Sequence, residues 1–181
     1  MEDFRSLGKR LSNWGRWGAD DERGTVNLIT PERLVEAGKL IKRGAIFDLG
    51  IPMDANGPQP GGNRINPVHL MRETGNGQNF PGGFHFADDY IFMPLQGSSQ
   101  WDALAHVFYD DQLYNGFPAD TVTSMGAYRC GIDKVDGKGI TSRGVLLDLV
   151  RHRNADVFLE AGKPISPEEL DDVVRAQGVT I

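Results

Sequence analysis

The stretch from Pro52 to Pro67 restricts most what this chain can fold into. It is dominated by glycine, proline and asparagine, residues that interrupt helices and are poorly tolerated inside sheets. A second Gly/Asn-rich stretch runs from Thr74 to Gly83. With 23 glycines and 10 prolines in 181 residues, the chain is not a helix bundle and must carry many turns and long shaped loops. Irregular segments of this length are uncommon inside a compact domain, and they often line a site.

Regular elements are expected between the loops. Thr30, Pro31 and Glu32 form a helix start, with a threonine cap, proline at the first helical position and an acid in the first turn. Leu34, Ala37, Leu40 and Ile41 continue an apolar stripe, Lys39, Lys42 and Arg43 suit the C-terminal dipole, and Gly44 stops the helix. Residues 45–51, 68–72 and 84–95 read as strands. Residues 144–150 read as a strand buried on both faces. Ser166, Pro167 and Glu169 form a capping box for a last helix that carries Leu170, Val173 and Val174 inward and ends at Gly178. Val179, Thr180 and Ile181 resemble the opening of a further strand, so the sequence reads as one domain, 1–181, incomplete at its C-terminus.

Apolar residues at 39% and charged residues at 24% describe a soluble globular chain. The net charge of −6 argues against nucleic acid or anionic membrane as the main partner. One cysteine, Cys130, excludes an internal disulfide and any cysteine-rich zinc site. Without an apolar signal core or a membrane-length run, a reducing cytoplasm fits best.

Chemistry concentrates between Gln96 and His106. Gln96, Gln100, Asp102 and His106 follow an apolar run at spacings of four, two and four. Asp102 and His106 pair a hard oxygen with an imidazole, a combination that suits zinc, manganese or iron. A histidine in such a place is also often a hydrogen-bonded core residue, and both readings stand at this level. Gly97, Ser98 and Ser99 do not make a nucleophile elbow, because Gln100 and Trp101 stand where the second glycine is needed. Of the other histidines, His152 between two arginines reads as surface, His69 stands apart, and His85 is the one to watch. Trp14, Trp17, Trp101, Phe108 and Tyr114 either hold an aryl or apolar substrate or pack a core or dimer.

The segment 96–106 is similar to the signature His-x-Gly-Thr-His-x-Asp-x-Pro-x-His of the cyclase family that includes bacterial kynurenine formamidase and isatin hydrolase. Residues 17–28, Trp-Gly-Ala-Asp-Asp-Glu-Arg-Gly-Thr-Val-Asn-Leu, resemble the Trp-Gly-x-Asp-Asp-x-x-Gly-Thr-x-Asn-Leu opening of one large branch. Residues 108–110, 114–116 and 143–148 also resemble that branch, so the likeness spans most of the chain.

The resemblance implies an α/β fold of the swivelling β/β/α type, a mixed sheet with packed helices, and usually a homodimer or higher oligomer. It implies a metal-dependent hydrolase that cleaves an amide of a small-molecule substrate, a formamide or a cyclic amide, with a divalent ion, manganese or zinc, as cofactor. Carried over by position, the metal ligands are Gln96, Gln100 and Asp102, and His106 is a ligand or the general base. Only Asp102 and His106 keep the family's chemistry, because an amide oxygen binds zinc more weakly than imidazole and favours harder ions. Further catalytic His and Glu residues of the family come from a region beyond Ile181, so half a site is expected here. The alternatives are a non-catalytic binding or structural relative that lost its ligand histidines, and a cyclase or dehydratase.

Overall fold

The computed structural model describes residues 3–135 and 139–181. It is a mixed helix and strand structure with long irregular connections. Two compact units divide it, Met1–Leu28 with Lys42–Ile140, and Ile29–Ile41 with Thr141–Ile181.

In the first unit, helix α1 spans Phe4–Leu11, with the Asp3 carboxylate accepting from the Ser6 N–H at its start. Strands β1 (Val68–Glu73) and β2 (Asp88–Phe92) pair antiparallel, Val68 opposite Phe92 and Leu70 opposite Tyr90, with an irregularity between Met71 and Glu73. The strand expected over 84–95 is therefore only its middle. Phe84 and Phe86 instead gather around Phe80, with ring centroids 5.8 Å from it. A two-residue ribbon, β3 (Val122–Thr123) with β4 (Gly126–Ala127), lies further along. A small core gathers Ala105, Leu113 and Cys130, with Tyr114, Phe117, Ala119 and Ala127 packed against it.

In the second unit, helix α2 covers Pro31–Gly38, with Thr30 Oγ1 accepting from the Arg33 N–H. It stops before Gly44, because Lys39 already closes the last turn by donating its N–H to Glu36 and Ala37. Helix α4 covers Pro167–Gln177, capped by Ser166 and ended by Gly178 in the left-handed conformation, as its sequence requires. Val173 is its fully buried side chain. A short helix, α3 (Leu149–His152), is tied to α4 by Arg153, whose Nε and Nη2 each donate to Glu169 at 2.5 Å. Those hydrogen bonds hold the Glu169 carboxyl below its ordinary range.

The strands expected at 45–51 and 144–150 are not formed among the described residues. Both runs have strand composition, but a strand exists only where another strand bonds to it, and among the described residues neither has such a neighbour. Asp148 then caps α3 by accepting from the Arg151 N–H, which turns the end of the second run into helix. The two ribbons that do form are both antiparallel.

Candidate functional site

The position of His106 is set by its neighbour. Ala105 is buried, and its N–H donates to the Cys130 carbonyl at 3.0 Å. This pins the backbone to the core, while the His106 N–H closes a turn on the Ala103 carbonyl at 3.0 Å. The imidazole is exposed, and so are Asp102 and Gln100. Gln96 is half-buried in a short turn, Leu95–Gly97. Among the described residues, no hydrogen bond or ion pair engages the side chains of Gln96, Gln100, Asp102 or His106.

The long loop touches this segment directly. Gln59 Nε2 donates to the Gly97 carbonyl at 3.0 Å and, at 3.4 Å, to that of Gln96. Gln59 is itself held by a reciprocal pair with Asn66, its N–H donating at 2.9 Å and its carbonyl accepting at 3.1 Å. Ser98 Oγ donates to the Ile51 carbonyl at 3.5 Å, a loop-holding contact.

A separate hydrogen-bond network is built on the Trp17–Leu28 segment. Asp21 accepts from the Gly24 N–H at 2.9 Å, from Asn27 Nδ2 at 2.6 Å and from the Tyr114 hydroxyl at 2.9 Å. Burial raises its pKa, but these bonds outweigh that effect and hold the carboxyl below its ordinary range. Glu22 accepts from the Cys130 N–H at 2.6 Å and from Arg129 at 2.9 Å. Burial first, then the hydrogen bond to Asp21, pushes the Tyr114 phenol up to about 12. Burial and then Glu22 push the Cys130 thiol up to about 11, so this cysteine is not an activated nucleophile.

Asn115 and Gly116 both have positive φ, 63° and 81°, which is the mirror-image turn favoured by an Asn-Gly pair. The turn aims the Asn115 amide at the carbonyls of Gly18, Ala19 and Asp21, at 2.9–3.2 Å. Glycine suits position 24, where φ is +56° and a Cβ would sit 3.2 Å from Leu104 Cδ1. The sequence marks 17–28 and 114–116 by resemblance and Tyr114 as an aromatic wall or core residue, but does not show that they bond to one another. Two signals pointed to them, the Asn-Gly dipeptide and an aspartate three residues before a glycine.

The aromatic side chains sort themselves. A cleft of about 660 Å³ is lined by Phe4, Trp14, Phe108, Tyr109, Leu113 and Tyr114, among others, with Arg5 and Lys9 also on its wall. Arg5 is paired with Asp110 at 2.6 Å. Trp101 is 67% exposed and does not line the cleft. Trp17 lies under the Arg16 guanidinium, 4.9 Å from it. His85 bonds to the Gly75 carbonyl and His69 to Asp89, so each is engaged within its own hairpin or loop.

Among the described residues, no three His, Cys, Asp or Glu side chains come together to hold an ion. Asp102 and His106 supply an oxygen and a nitrogen, whereas a catalytic zinc takes three protein ligands. By donor chemistry these residues do not make a complete metal site. Among the described residues, no helix is long and apolar enough to cross a membrane.

No protein-family model matches the chain, and no curated protein matches it. Among solved structures it is similar to one described as the crystal structure of a novel cyclase, with 43% identity and a TM-score of 0.86. The likeness covers 94% of this chain and 59% of that one. The chain thus spans less than two thirds of the length of the cyclase it resembles.

Proposed function

We propose that this chain is a cyclase-family polypeptide that contributes part of a hydrolytic site for a small amide, a cyclic amide or a formamide. The observation that carries the reading is the 43% identity to a cyclase over 94% of the chain, together with the Asp102 and His106 that the 96–106 segment retains. His106, exposed on a backbone pinned at Ala105, suits a proton acceptor for an attacking water, a role worth about 10²–10⁴ in rate. Asp102, three residues before that anchor, suits a group that orients the water or a bound cation. The divalent ion that the resemblance implies needs donors beyond these two, and no step is assigned to it. The aromatic cleft, whose wall includes Leu104, Val107 and Phe108, suits the apolar or aryl part of a substrate.

A second reading is a non-catalytic relative, favoured by the lack of a three-donor cluster among the described residues. The word cyclase in the neighbour's description favours a third, a ring closure or dehydration without net hydrolysis. Incubation with a panel of cyclic amides and formamides, read by product mass, separates them. Hydrolysis adds one water to the substrate, ring closure by dehydration removes one, and a non-catalytic chain leaves every substrate unchanged.

A further inference from the structure

Helix α1 turns one face to the aromatic cleft, with Phe4, Arg5, Gly8 and Lys9 at helical spacing along its wall. Two cations thus stand on this wall, in a chain whose net charge is −6. They differ. Both carboxylate oxygens of Asp110, also on the wall, accept from Arg5 Nη1, at 2.8 and 2.6 Å. Arg5 also lies 5.7 Å from the ring centroids of Phe4 and Tyr109. Lys9 has no such partner: among the described residues, no hydrogen bond or ion pair engages its ammonium. The wall is left with one uncompensated positive charge, and the same wall carries the exposed rings of Phe4, Trp14, Phe108 and Tyr109.

Gly8 has no explanation within the fold. It sits inside α1, on right-handed helical backbone, where glycine costs stability relative to alanine. Neither a positive φ nor a close neighbour requires it, since a Cβ built there would meet no atom of the protein within 4 Å. What this glycine leaves is room on the cleft wall, next in sequence to Lys9. At about 660 Å³, the cleft has the volume of a small-molecule site.

We infer that the cleft takes a small aromatic carboxylate, its ring among Phe4, Trp14, Phe108 and Tyr109 and its carboxylate on the Lys9 ammonium, with Gly8 leaving the space. Aromatic surface supplies the contact area, and a charge-assisted hydrogen bond supplies the orientation. The Arg5–Asp110 pair is internally neutral, so the choice between an anion and its neutral analogue falls to Lys9. The inference rests on the functional reading above in taking the cleft as the pocket for a substrate's aryl part, and it adds the charge which that substrate carries.

Equilibrium dialysis of the full chain with 2-naphthoate and with neutral 2-naphthalenemethanol reads the pocket without turnover, since neither probe has an amide to hydrolyse. The expected result is a one-to-one complex with 2-naphthoate, about tenfold tighter than that with the alcohol. Lys9→Gln should erase this preference and leave the affinity for the alcohol unchanged. Gly8→Ala should raise the urea midpoint, as loss of a helix glycine does, yet weaken both probes by about fivefold or more. Equal affinity for the two probes, no binding of either, or a preference that survives Lys9→Gln overturns the inference. So does a dimer in light scattering that Lys9→Gln breaks, because the cleft is then an interface between copies. Selective binding of 2-naphthoate by a chain that turns over no amide would sustain this pocket and count against hydrolysis. Hydrolysis of neutral amides without any preference for the anion would do the reverse.

Discussion

The Tyr114 hydroxyl donates to Asp21 Oδ2 across 2.9 Å, joining two segments 93 residues apart. With its phenol pushed up to about 12, Tyr114 stays a neutral donor across the whole working range of pH. Tyr114→Phe keeps the ring and removes the donor to a charged acceptor. The expected cost is about 1.5–3 kcal/mol, read as a lower urea midpoint at unchanged slope. An unchanged midpoint would mean that the contact adds nothing to stability.

Acid should weaken the same network. The carboxyl of Asp21 lies below its ordinary range in the folded chain, while the unfolded value is near 3.9. The unfolded state therefore takes up a proton first as pH falls. The stabilisation is complete above the unfolded value and disappears as pH drops through the folded one. Unfolding midpoints measured from neutral pH downward should decline below about pH 4, and Asp21→Asn should flatten that decline.

Gly24→Ala meets two penalties, a left-handed φ of +56° and a Cβ 3.2 Å from Leu104 Cδ1. The expected loss is about 1–3 kcal/mol in thermal or urea unfolding. Gly15→Ala is a useful comparison, since its φ of +75° is also positive but nothing lies within 4 Å of the added carbon. If both variants lose the same amount, crowding by Leu104 contributes nothing.

Cys130 is fully buried and its thiol is raised to about 11. Iodoacetamide at about pH 8 should label it only as the chain unfolds, so labelling should follow the urea transition. Rapid labelling of the folded chain would place the thiol in solvent.

Asp102 is exposed and engages no partner among the described residues. Asp102→Asn should therefore change stability by less than about 0.5 kcal/mol. If the chain is the hydrolase proposed above, the same variant should abolish hydrolysis, measured by product mass. Activity that survives would move the site elsewhere.

Local signals were read well and non-local ones poorly. Helix α4 was legible because Ser166, Pro167 and Gly178 state its beginning and end within a few residues. The start of α2 was legible from Thr30 and Pro31, but its end was not, because apolar spacing continued through Leu40 and Ile41 after the last helical turn had closed. Residues 45–51 have strand composition, yet composition cannot supply the neighbour that makes a strand. Asp102 and His106 stand out in the sequence as candidate chemistry by residue type alone. That Asp21, Glu22, Asn115 and Tyr114 hold one another is not legible there, since hydrogen bonds across about a hundred residues leave no periodic trace.

The Asn115–Gly116 turn also bears on how the protein ages. Asn-Gly pairs are prone to deamidation, in which the glycine nitrogen attacks the asparagine side chain. In the folded chain that nitrogen donates to the Leu113 carbonyl at 3.1 Å, and the Asn115 amide is bound to three carbonyls. The native turn thus guards its own most labile bond. Each excursion to the unfolded state exposes it, and conversion to aspartate or isoaspartate would replace the donors that hold the Gly18–Asp21 backbone with a repelling charge. Transient unfolding would then leave a permanent chemical record, one that peptide mapping can read as a clock of the time spent unfolded.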